Sequence, residues 1–214
     1  MIQIVTGDFR KLSNELADSS VDLVLTDPPY GCEYLPLWRD LARIAARVLK
    51  PSGFLVAYSG QLYLRDVMGM LDEHLAYYWL GTVYMPGANC RVWPRKLRQQ
   101  VKPILVYSNG KPGNHRWWTD YIVSPNGHGS KKHHAWGQTV APFRQLVEWF
   151  SNSGNLVLDP LLGGGTTALA CLQTGRDCIG YEINPATADI ARARLASAQL
   201  PLPMPTVTQE ALAF

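Results

Sequence analysis

Residues 155–175 read NLVLDPLLGGGTTALACLQTG. An apolar run passes through three consecutive glycines into a stretch of helical composition, and Gly175 stops it. Strand, glycine loop and helix in this order open a βαβ unit. Gly163, Gly164 and Gly165 remove three side chains, so backbone amides can approach a ligand and positive φ becomes accessible. Pro160 and Thr166 flank the loop. Asp159 ends the strand, where a carboxylate can accept a hydrogen bond from a cationic ligand group. The next run, DCIGYEINPATADIARARL at 177–195, is a further strand and helix, with Asn184 a natural N-cap and Pro185 at the first helical position. Glu182 ends that strand 23 residues after Asp159, where an acid commonly binds the two hydroxyls of a ribose. The loop departs from G-x-G-x-x-G and lacks the lysine of a phosphate-binding loop. A nucleoside carrying something other than a pyrophosphate is therefore the expected ligand.

The rest of the chain repeats this grammar. IQIV near the start, VDLVLT at 21–26, GFLVAYS at 53–59, YYWLGTVYM at 77–85 and PILVYS at 103–108 read as strands. Apolar residues recur at helical spacing from Leu37 to Val48, from about Leu62 to Leu75 and through APFRQLVEWF, and KPSG at 50–53 is expected to stop the first of these helices before the strand GFLVAYS. Alternating strands and helices predict an α/β fold with a mostly parallel sheet covered on both faces, and ligands bind beyond the carboxyl ends of such strands. At 214 residues and 47% hydrophobic content, one domain is expected over 1–200, with 86–135 a basic insertion and 201–214 an extended or frayed tail.

Charge is unevenly spread. Between Pro86 and His134 nine lysines and arginines face one acid, Asp120, a local balance of +8 within a chain of net charge +3. Phosphate is the commonest partner of such a face. The four cysteines form no C-x-x-C pair, so neither zinc nor a disulfide framework is expected, and no metal site is assigned. The N-terminus lacks signal-peptide grammar and no apolar run approaches the ~18 residues of a membrane span, which predicts a cytoplasmic protein without a membrane partner.

LTDPPYG at 25–31 ends the second strand. Pro28 and Pro29 hold it extended and donate no backbone hydrogen bonds, while their carbonyls accept. With the carboxylate of Asp27 the segment suits a partner bringing two N–H groups, such as an exocyclic amine. Tyr30 adds a flat face for a planar base, worth ~1–3 kcal/mol.

TDPPYG followed by VLDPLLGGGTT and GYEINP resembles the amino-methyltransferases of DNA that use S-adenosylmethionine, and the motif order is that of their permuted β class. GDF at 7–9 and RQQVKPILVYSNG at 98–110 resemble further elements of that class. The resemblance implies a Rossmann-like methyltransferase fold in which the strand at 155–159 lies beside that at 21–26. It implies that Asp27 and the Pro28 carbonyl hold the target amine, with Pro29 and Tyr30 completing the catalytic motif and Tyr30 stacking on the flipped base. It implies further that Asp159 and the glycine loop hold the methionine portion of the cofactor, Glu182 its ribose and Asp8 its adenine. The family's H-P-T-Q-K-P element is replaced by HAWGQTVAP, which retains Gln138 as a cofactor contact. DNA is the implied partner, in a restriction–modification setting that leaves room for a homodimer. Arg95, Lys96, Arg98, Lys131 and Lys132 are the candidate phosphate contacts. D-P-P-Y is associated mainly with adenine, so adenine is favoured over the 4-amino group of cytosine. Methylation of RNA or of a protein amide, a nicotinamide-dependent oxidoreductase, and a catalytically dead nucleic-acid-binding protein are the competing readings.

Overall fold

The computed structural model describes residues 1–88, 90–112, 116–124 and 139–199. In chain order the elements are β1 (Ile2–Thr6), α1 (Phe9–Leu12), β2 (Val21–Thr26), α2 (Leu35–Val48), β3 (Leu49–Tyr58), α3 (Leu64–Asp72), β4 (Ala76–Tyr84), β5 (Cys90–Val92), β6 (Leu97–Gln99), β7 (Val101–Ser108), β8 (Tyr121–Val123), α4 (Val140–Phe150), β9 (Leu156–Asp159), α5 (Thr166–Thr174), β10 (Asp177–Glu182) and α6 (Pro185–Gln199). Eight strands form one sheet in the order β1-β10-β9-β2-β3-β7-β4-β8, and β5 with β6 makes a separate two-stranded hairpin. Pairing is parallel except where β7 runs antiparallel between β3 and β4.

The central strands are apolar on both faces because both are covered. Leu23 and Leu25 of β2, Phe54 and Val56 of β3, and Ile104 and Val106 of β7 enter one core with Phe143, Leu146, Val147 and Phe150 of α4 and Ala168, Ala170 and Cys171 of α5. The alternate residues Val24, Leu55, Ala57, Leu105 and Tyr107 enter a second core with Trp38, Leu41, Ala45 and Val48 of α2 and Val67 and Leu71 of α3. Period-two alternation thus serves two cores at once.

β2 and β9 are neighbours, Leu23 opposite Val157 and Val24 opposite Leu158. From this seam the chain winds outward through β10 to β1 on one side and through β3 on the other. This is the reversal of strand order at which open parallel sheets form their ligand crevice.

One expectation changes in detail. α2 ends at Val48, ahead of KPSG, but the next strand starts earlier than expected: β3 begins at Leu49 and takes KPSG in, and the irregularity is absorbed as a register shift between Val21 and Leu23 with Ser52 at φ 72°. Within 86–135, Val101–Ser108 and Tyr121–Val123 are strands of the main sheet, while β5 and β6 form their own hairpin. The expected tail, 201–214, lies outside the described residues. No helix among the described residues is long and apolar enough to cross a membrane.

Candidate active site

The carboxyl ends of β1, β10, β9 and β2 are consecutive across the sheet, which brings Asp8, Glu182, the glycine loop and TDPPY to one edge. The glycine loop is shaped by backbone conformation. Gly163 has φ +52° with open space where a Cβ would project, so the backbone there is uncovered on its Cβ side. Gly165 has φ +81°, and a Cβ there would lie 2.9 Å from that of Ala191, so only glycine lets α6 pack against the loop. Glu182 accepts from the Gly163 amide at 2.9 Å and from the Asn184 amide at 2.8 Å, tying the loop to the start of α6. A carboxylate has about four lone-pair sites, which leaves acceptor capacity for a pair of hydroxyls. Asn184 caps α6 as expected, accepting from the Ala186 and Thr187 amides.

Asp159 is 2% exposed. Its carboxylate accepts from Thr167 Oγ1 at 2.5 Å and from the Leu161 amide at 3.1 Å, so one oxygen binds the loop and the other the first turn of α5. Burial pushes its pKa up to about 6, against the lowering effect of these hydrogen bonds. Its geometry is that of a brace under the glycine loop. Asp8 caps α1 through the Arg10 amide and pairs with the Arg10 guanidinium at 2.6–3.0 Å, which holds its carboxyl below the usual range. Arg194, which the sequence did not single out, reaches from α6 to the Gly164 carbonyl at 3.0 Å and Thr166 Oγ1 at 3.1 Å.

At the end of β2 the Tyr30 hydroxyl donates to the Asp27 carboxylate. Burial, then the Asp27 charge, pushes the Tyr30 phenol well above its ordinary pKa, so it stays a neutral donor. Gly60, just after β3, makes room for this ring: a Cβ there would lie 2.9 Å from that of Tyr30. Tyr58, at the end of β3, is buried with its hydroxyl unpaired among the described residues, stacks on Phe143 at 4.9 Å, and is raised in pKa by burial and then by Asp27.

Lys102 of β7 completes the cluster. Its ammonium lies 3.7 Å from Asp27, 5.2 Å from the centre of the Tyr30 ring and 5.9 Å from that of Tyr58. One face of the Tyr30 ring thus has this ammonium over it. Sequence reading counted Lys102 only among the basic residues, because its place depends on β7 running back between β3 and β4.

Arg95, Lys96 and Arg98 are exposed on the β5–β6 hairpin. Lys131, Lys132 and Gln138, with the histidines at 128, 133 and 134, lie outside the described residues. Among the described residues no cluster of His, Cys, Asp and Glu has the makings of a metal site.

Residues 21–193 match the family described as DNA methylase, the N6/N4 methyltransferase family. The chain is 24% identical over 235 residues to the type II methyltransferase M.HpaI of Haemophilus parainfluenzae, covering 91% of this chain and 74% of that protein. It is 25% identical over 242 residues to M2.DpnII of Streptococcus pneumoniae, covering 90% and 88%. Among solved structures, the M1.HpyAVI–S-adenosylmethionine complex superposes with a TM-score of 0.75 at 25% identity over 91% of this chain and 99% of that one. The cytosine-N4-specific PvuII DNA methyltransferase shares the fold, with a TM-score of 0.82 at 17% identity over 94% and 88%. The chain thus belongs to the DNA methylase family and is a site-specific amino-methyltransferase of DNA that uses S-adenosylmethionine.

Proposed function

We propose that the chain methylates the 6-amino group of adenine. The observation that carries the reading is the pairing of β2 with β9, which sets the acceptors of Asp27-Pro28 beside the glycine loop. Asp27 in the first motif position supports adenine. The PvuII neighbour is specific for cytosine N4, so the cytosine amine is the second reading.

The residues present fit the cofactor. The open, positive-φ Gly163 offers a backbone cradle, Glu182 stands at the end of β10 with acceptor capacity to spare for a ribose, and Asp8 and Thr166 border the same edge. When bound, S-adenosylmethionine supplies a methyl group on a sulfonium. Asp159 and Pro160 shape the cradle from beneath, and Gln138 would add a contact.

A base amine is a poor nucleophile because its lone pair is delocalised into the ring. The Asp27 carboxylate and the Pro28 carbonyl accept its two N–H bonds, favour a more tetrahedral nitrogen and expose the lone pair. Pro29 keeps the platform free of competing donors, and the Tyr30 hydroxyl fixes the carboxylate. Catalysis is then positioning and electrostatics, with Asp27 accepting the amine proton after transfer. The base leaves the duplex at a cost of a few kcal/mol, and Arg95, Lys96 and Arg98 on phosphates offset it. Residues 1–200 act as one catalytic domain, with the basic segment contributing DNA contacts.

The test is methylation of mixed-sequence DNA followed by nucleoside analysis and base-resolved mapping. N6-methyldeoxyadenosine at a defined site is expected. N4-methyldeoxycytidine in its place overturns adenine in favour of the second reading.

A further inference from the structure

The β5–β6 hairpin is built against its own stability. It is an isolated pair of three-residue strands, a form marginal in water by itself. Arg91 pairs directly opposite Arg98, where like charges repel. Lys96 closes the turn at φ 49°, a left-handed conformation that costs a lysine of order 1 kcal/mol or more and that glycine or asparagine would adopt more readily. At the tip Trp93 is 71% exposed, and Leu97 is 45% exposed beside it. The Arg91 guanidinium stacks over the Trp93 ring at 5.5 Å. With Arg95 the hairpin carries four cations and no acid between Cys90 and Gln99. A polyanion with planar aromatic faces relieves each cost: phosphates separate the arginines and reward Lys96, and a base stack covers the indole.

The hairpin also stands at the rim of the site. Its root is closed by the Met85 amide on the Gln100 carbonyl at 2.8 Å and by Tyr84 opposite Val101. Lys102, 3.7 Å from Asp27, follows directly. Leu97 is five residues from Lys102, at most about 17 Å at ~3.4 Å per strand residue.

We propose that Trp93 is a stacking wedge that enters duplex DNA beside the target and holds the place of the base drawn to Asp27, with Arg91, Lys96 and Arg98 on the flanking phosphates. This rests on the amino-methyltransferase reading and adds to it the residue that stabilises the opened duplex. Extruding a base leaves a gap whose neighbours have lost stacking, and apolar or aromatic wedges between base steps are a general way to recover it.

The decisive experiment uses the full chain with S-adenosylmethionine and a duplex containing its mapped target. Trp93→Ala is expected to lower kcat/KM on the paired duplex by about 10- to 100-fold. On the same duplex with the target opposite an abasic site, where opening costs less, the loss should shrink to a few-fold. Trp93→Phe should keep most of the activity and Trp93→Ala should keep cofactor affinity. An equal loss on both duplexes, or none, overturns the wedge. If the wild-type chain methylates no DNA, the amino-methyltransferase reading fails, and the hairpin is still decided by fluorescence. Duplex DNA should quench wild-type tryptophan emission more than that of Trp93→Phe; identical titrations overturn the proposal.

Discussion

At the scale of single residues, the site divides into groups that face the crevice and groups that brace it. Asp27 and Tyr30 are coupled by a hydrogen bond, so their substitutions separate charge from stacking. Asp27→Ala is expected to abolish methyl transfer, by at least about three orders of magnitude in kcat, since oriented acceptors contribute most in sites of this kind. Cofactor affinity should change by no more than a few-fold in equilibrium binding, because Glu182 ties the glycine loop to the start of α6 through the Gly163 and Asn184 amides. Tyr30→Phe keeps the ring and removes only the hydroxyl that fixes the carboxylate, and a roughly 10-fold loss in kcat is expected. Tyr30→Ala removes the stacking face as well and should raise KM for DNA in addition. If the two Tyr30 variants behave alike in KM, the ring is not a base platform. The placement of Asp27 and Glu182 at strand ends was legible in the sequence because the runs of apolar residues leading to them are unmistakable. Lys102 and Arg194 were not. Each reaches the site from an element far away in the chain, and no local pattern encodes that a lysine on one strand will meet a carboxylate on another.

At the scale of elements, glycines of opposite consequence make the argument testable. Gly165 sits at φ +81° between the loop and α5 with the Ala191 side chain against it. Gly165→Ala meets both a backbone and a steric penalty, and a destabilisation of about 2–4 kcal/mol in urea unfolding is expected, with weakened cofactor binding. Gly69, inside α3, is exposed, has ordinary helical φ and nothing within 4 Å of an added Cβ. Gly69→Ala should stabilise by about 0.5–1 kcal/mol and leave activity unchanged. Glycine count predicts neither result; conformation predicts both. The same distinction explains what the sequence said about elements. α2, α4 and α6 announced themselves through periodic apolar faces or a capping asparagine, and their observed spans follow closely. The short strands β5, β6 and β8 did not, since three residues carry no readable period. PILVYS read as a strand, but its antiparallel place between β3 and β4 is a long-range choice made by the two cores.

At the scale of the whole molecule, the seam between β2 and β9 joins the strand that ends in TDPPY to the strand that leads into the glycine loop, and Asp159 is buried at its end. Its position ties global stability to pH. Burial raises its folded pKa to about 6, above the ordinary aspartate value of 3.8 that holds in the unfolded chain. Between those values the folded state holds a proton that the unfolded state has released, so unfolding is opposed at low pH and stability falls as pH rises. The contribution is fully present below about 3.8 and lost by the time pH passes through 6. A shift of this size corresponds to an order of 2–3 kcal/mol. Asp8 and Glu73, lowered by Arg10 and Arg39, tilt the total curve the other way, so the wild-type profile alone does not isolate Asp159. Asp159→Asn does, because it removes the titration while keeping the volume. The difference in unfolding free energy between wild type and Asp159→Asn, measured by urea titration from pH 4 to pH 7, should move against the wild type as pH rises and level off above about 6.5. An Asn side chain changes the bonds to Thr167 and Leu161 and so displaces the whole difference curve, but a displacement carries no slope. A flat difference across that range would mean that Asp159 is solvated or already ionised in the fold, and that the brace beneath the glycine loop bears a permanent charge.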